Sequence, residues 1–173
     1  METPLHPMLV HLPLGLALIL PLLAIAALVA WWREWVPPQT WWVIVALQAL
    51  LTAGAFVAME TGEDEEHAVE AVVGHDAIHD HEEAGELFAW TSAGVLALAF
   101  LGGAVPHDMA RRGLATAATV GTVGVLALGV WTGKKGGELV YVHGAANAYA
   151  APASANGDAH APKKHDDDDD DDH

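Results

Sequence analysis

A chain of 173 residues with 53% hydrophobic residues and a formal net charge of −16 combines two properties that an ordinary soluble domain keeps apart. The charge excludes nucleic-acid binding, and the absence of cysteine excludes disulfides, cysteine-ligated iron–sulfur clusters and thioether-attached haem. Segregation reconciles the two: acidic residues crowd into Glu60–Glu86 and the run Asp166–Asp172, and the stretches between carry almost none.

Four uncharged blocks are long enough to cross a hydrocarbon core, which takes roughly 20 apolar residues at helical rise. The first runs from about Met8 to Trp32 and the second from Trp41 to Met59. The third runs from about Leu87 to Val105 and the fourth from Leu114 to Trp131. In lipid each backbone amide needs a partner within its own segment, and the period-two alternation of barrel strands is absent, so the blocks read as helices. Ala24 and Ala26 offer a small-x-small cleavage pattern in the first block. Glu2, however, is the only charged side chain before Arg33, where a signal peptide would be basic, so the block is expected to remain as a span.

Trp31, Trp32, Trp35, Trp41 and Trp42 cluster around the Pro37–Pro38 turn, as an aromatic belt at the headgroup level would. The expected fold is therefore all-α: an integral membrane four-helix bundle over residues 1–149, with an acidic, histidine-rich segment before helix three. Residues 150–173, an Ala/Pro linker and a His/Asp tail, read as disordered.

Lys and Arg in short loops set orientation. Arg33 lies between helices one and two, Arg111 and Arg112 between three and four, and the loop between two and three has neither. This points to a multi-pass protein of the cytoplasmic membrane with both termini outside, although Lys134 and Lys135 after helix four argue the other way.

On that topology His6, His11, His67, His75, His79, His81 and His143 share one face, with only His107 opposite and His160, His165 and His173 in the tail. Glu60–Glu86 holds eleven acidic residues, four histidines and no Lys or Arg, so it must be hydrated or bind cations. His75 and His79, four apart, would share a helix face, with His81 pointing elsewhere. The string His6-Pro7-Met8-Leu9-Val10-His11-Leu12-Pro13 brackets two histidines with prolines. Pro7 suits a first helical turn, and Pro13 should bend the helix near its outer end. An imidazole at the membrane edge needs a hydrogen-bond partner or a metal.

The His6–Pro13 string, Thr61-Gly62 at the end of helix two and the closing Gly136-Gly137-Glu138-Leu139-Val140-Tyr141-x-His143-Gly144 together resemble the domain of unknown function 2231 family. That resemblance spans roughly Leu5 to Ala146 and implies a small four-helix bacterial membrane protein. The family's single histidine near the start of helix three has three counterparts here, His75, His79 and His81.

Three functions suit these residues. The first is a non-covalent haem b held between helices by axial imidazoles, His11 and His79 foremost with His6, His75, His81 and His143 as further candidates, serving electron transfer with a redox partner or quinone. The second is handling of a copper, zinc or nickel ion by His6, His11, His75, His79 and His81, with Met8 and Met59 as soft ligands for copper. The third is a structural or assembly subunit, possible as a homo-oligomer, that binds lipid and no cofactor. No nucleophile with a base, phosphate loop or dinucleotide fingerprint is present, so the chain reads as an electron carrier or binding protein rather than an enzyme.

Overall fold

The computed structural model describes residues 5–149; the linker and tail expected over 150–173 lie outside the described residues. The elements, in chain order, are α1 (His6–Leu9), α2 (His11–Trp32), α3 (Trp41–Glu70), α4 (His75–Ala104) and α5 (Asp108–Tyr141), with single 3-10 turns at Pro38–Thr40 and Ala145–Tyr149. Four of these lengths, α1 and α2 counting as one, are long and apolar enough to cross a membrane. No strand occurs among the described residues.

The break between α1 and α2 follows from proline chemistry. Pro13 has no N–H for the Leu9 carbonyl, so α1 stops at Leu9, while Leu14 N–H still reaches Val10 O at 3.2 Å and keeps α2 in line. The bend expected near the outer end of helix one is therefore a helix interruption.

Short connections make the helices run up and down, and they close a ring in which α2 packs on α3, α3 on α4, α4 on α5 and α5 back on α2. Lipid tails are as apolar as leucine, so association in the bilayer depends on close packing rather than on escape from water. Small residues provide it: Ala17, Ala24, Ala55, Ala89, Ala99, Ala115 and Ala118 are buried between helices. A β-carbon on Gly102 would meet the Ala115 backbone nitrogen at 2.9 Å, so α4 and α5 touch main chain to main chain there.

Two of the five clustered tryptophans are core rather than belt. Trp31 and Trp41 are buried with ring centres 6.2 Å apart, and the Trp41 indole N–H donates to Ala99 O at 2.9 Å; Trp32, Trp35 and Trp42 are exposed. Mid-bundle, Gln48 is fully buried and its Nε2 donates to Ser92 O at 3.0 Å. A buried amide in lipid adds specificity by tying α3 to α4 at one register.

The helices outrun the apolar blocks. α3 continues eleven residues past Met59 to Glu70, α4 begins at His75 rather than near Leu87, and α5 extends from Asp108 to Tyr141. Hydropathy marks where the bilayer ends, whereas Glu- and Ala-rich sequence keeps on propagating a helix into water. The extensions of α3, α4 and α5 form a small cap with its own apolar cluster of Val73, Ile78, Leu139 and Ala145.

Candidate functional site

The cap orients the histidines. On α4, Ile78 faces the cap core, and His81, three residues on, turns inward on the same face; His75 and His79 turn outward. The His75 and His79 rings stack with centres 6.4 Å apart and planes at 7°, as their spacing implies, but both are mostly exposed beside Glu70 and Glu82. His67, His11 and His143 are exposed too.

His6 and His81 are the two imidazoles that the fold brings together, with ring centres 6.0 Å apart and planes at 83°. His6 comes from the first turn of α1 and His81 from the cap portion of α4. Nδ1 of His6 lies 2.7 Å from the Ala58 carbonyl. A carbonyl only accepts, so the proton belongs to His6 Nδ1, and its Nε2 carries a lone pair. His81 Nδ1 is buried without a hydrogen-bond partner. The pair thus presents imidazole nitrogens that the surrounding protein leaves unengaged.

Several residues hold His6 in place. Glu65 Oε1 accepts the backbone N–H groups of Leu5 at 2.6 Å and His6 at 3.2 Å, capping α1 from α3. Its Oε2 accepts the Tyr149 hydroxyl at 3.1 Å, which ties the chain after α5 to the same carboxylate. Thr61 Oγ1 donates to the Ala58 carbonyl that His6 also uses, at 3.0 Å. Burial, and then the bond to Glu65, raises the Tyr149 pKa above its ordinary 10.0.

Glycines make room for both rings. A β-carbon on Gly62 would stand 3.2 Å from the His6 ring, and one on Gly136 would stand 3.1 Å from His81 Cε1. Gly144 adopts φ 74°, the left-handed region open to glycine, and turns the chain after α5 so that Tyr149 reaches Glu65. The three separated motifs of the sequence therefore meet at one end of the bundle.

His11 and His79, foremost among the sequence candidates, are both exposed, and His79 pairs with His75 instead. Met8 is exposed, and Met59 is half-buried against the transmembrane core. Among the described residues no group of three or more His, Asp or Glu side chains is placed to hold a metal ion. Glu65 and Tyr149 were missed by sequence reasoning, because Glu65 is one of many glutamates and nothing local marks it as a cap for a helix some sixty residues away.

The fold and this end define a four-helix membrane protein with a paired-imidazole cap. The chain belongs to the family described as Predicted membrane protein (DUF2231), whose sequence profile matches residues 2–149. No curated protein and no solved structure matches the chain at a significant level.

Proposed function

We propose that this protein is a membrane-anchored electron carrier in which His6 and His81 would hold a non-covalent haem b. The observation behind this reading is the ring spacing. His6 and His81 stand with ring centres 6.0 Å apart, near enough that both would hold one iron through their nitrogens. Nε2 of His6, left without the proton by the bond at Nδ1, and the unpartnered Nδ1 of His81 are the nitrogens that would bind it. Two imidazoles suffice for haem, whereas a bare zinc ion wants about four protein or solvent ligands. The lack of cysteine restricts the group to b type.

On this reading the paired-imidazole end faces the outside of the bacterial cytoplasmic membrane, opposite the loops bearing Arg33, Arg111 and Arg112, and exchanges electrons there with a quinone or a redox protein. The test is the oxidised and dithionite-reduced visible spectrum of the detergent-purified protein, expressed with adequate haem supply. A Soret band with sharp reduced α and β bands is expected, lost in His6→Ala and in His81→Ala and kept in His11→Ala and His79→Ala. A colourless protein, or a band that survives both inner variants, would overturn it.

The acidic extensions favour a second reading, binding of a copper, zinc or nickel ion by the same pair. Glu63, Asp64, Glu66 and Glu70 on α3 and Asp76, Asp80, Glu82 and Glu83 on α4 concentrate cations at this end. Stoichiometric metal in a colourless protein, reduced in His81→Ala, would establish it.

A further inference from the structure

Midway along the bundle, away from the imidazole end, two polar atoms of α3 are buried without a partner. Gln48 is fully buried, and its Nε2 donates to the Ser92 carbonyl at 3.0 Å, which leaves Oε1 as the other end of the amide; that oxygen meets no donor. Thr52 is buried four residues further on, on the same face of the helix, and its Oγ1 is unpartnered as well.

The Thr52 hydroxyl is an exception among its neighbours. A hydroxyl within a helix can turn back to a carbonyl three or four residues earlier. Ser92 does so to Ala89 O at 2.8 Å, Thr119 to Ala115 O at 2.9 Å and Thr122 to Thr119 O at 2.7 Å. These three and Thr52 are the buried hydroxyls among the described residues, and Thr52 alone keeps its proton free of the helix.

α2 brings a third group. Pro21 is buried inside α2 and has no N–H to give the Ala17 carbonyl. Ala17 packs in one core cluster with Leu51 and Ala55, which lie on either side of Thr52 along α3. Carbonyls freed by proline in membrane helices are satisfied by hydroxyls or ordered water. The site therefore offers two acceptors, Gln48 Oε1 and Ala17 O, and one hydroxyl with a proton to give. Water matches that set, with two protons to donate and a lone pair to accept, and about three hydrogen bonds are usual for a buried water. A cation does not match, because α2 carries no carboxylate and α3 none before Glu60, and an unpaired charge at this depth is costly.

We propose that a water molecule is bound at the centre of the bundle, donating to Gln48 Oε1 and the Ala17 carbonyl and accepting from Thr52 Oγ1. It joins α2 to α3 in mid-bilayer, and the Gln48 amide carries the link on to Ser92 of α4.

Solid-state NMR of the full chain in lipid vesicles tests this by following magnetisation from water protons into the protein. Transfer should reach the Gln48 side chain and not Val95 or Val125, which are also buried. Thr52→Val, which swaps the hydroxyl for a methyl of similar shape, should abolish the transfer and lower the melting temperature, because two acceptors lose their shared partner. In a dry core the same change would raise the melting temperature, since it removes a buried hydroxyl that nothing satisfies. Thr52→Ser keeps the hydroxyl and should keep the transfer; its loss there would trace the effect to packing and overturn the proposal. Absence of transfer to Gln48 in the parent, transfer retained in folded Thr52→Val, or a raised melting temperature in that variant would each overturn it too.

Discussion

The Gly62 backbone lies directly against the His6 ring, so that a β-carbon there would stand 3.2 Å from both Cε1 and Nδ1 of the imidazole. The ring cannot readily withdraw, because Nδ1 is bound to Ala58 O at 2.7 Å and the His6 backbone to Glu65. Gly62→Ala should accordingly cost roughly 1–3 kcal/mol, the usual range for overpacking, and weaken whatever His6 binds. Denaturation in mixed micelles measures the first effect and cofactor or metal titration the second. Unchanged values for both would show that the ring moves freely.

Tyr149 gives the cap a response to alkali. Its pKa is raised, through burial first and the Glu65 bond second, so the folded state holds the phenolic proton more tightly than the unfolded chain. That contribution is complete below the unfolded value of 10.0 and is lost as pH rises through the raised folded value. The stability difference between the parent and Tyr149→Phe, followed from about pH 8 to about pH 12, should be flat at first and then shrink. A constant difference would mean that the hydroxyl proton plays no part.

Gly102 and Gly94 lie on the same helix and should behave oppositely when changed to alanine. At Gly102 the new methyl would meet the Ala115 main chain at 2.9 Å, and backbone cannot step aside as a flexible side chain can. Gly102→Ala should force α4 and α5 apart at a cost of roughly 1–3 kcal/mol. At Gly94 nothing lies within 4 Å, so Gly94→Ala should be neutral or stabilise by up to about 1 kcal/mol through helix propensity. Equal effects at the two sites would contradict the close approach.

Glu34 ends α2 in the left-handed region, with φ 59°. Its N–H reaches Trp31 O at 3.0 Å and the Trp35 N–H reaches Ala30 O at 2.9 Å, the paired bonds of a Schellman turn. A non-glycine residue there costs roughly 1–2 kcal/mol. Glu34→Gly should recover about 1 kcal/mol of that, measured by the same denaturation, and a loss of stability would show that the Glu34 side chain makes a compensating interaction.

The membrane class and four spans were legible because each rests on composition over some twenty residues, and no single misjudged side chain alters that sum. The ends of the helices were less legible. Glu60 to Glu70 is too polar for lipid yet continues α3, because helix propagation and membrane partition are separate free energies. Trp31 and Trp41 read as belt residues by position, but their mutual packing and the Trp41 bond to Ala99 place them inside.

The site was half legible. The motifs containing His6, Gly62, Gly136 and Gly144 stood out in the chain, and the sequence placed them on one side of the bilayer through the parity of four crossings. Which histidine of helix three faces inward, and which of the two N-terminal ones meets it, was left to the tertiary structure. That choice depends on the rotation of α4 about its own axis, set by Ile78 in the cap core, and on the interruption at Val10 that turns His6 toward α3 while leaving His11 outside. The sequence by itself determined that this chain lies in a membrane and gathers its imidazoles at one end. Packing between residues far apart in the chain decided that two of them, His6 and His81, face each other.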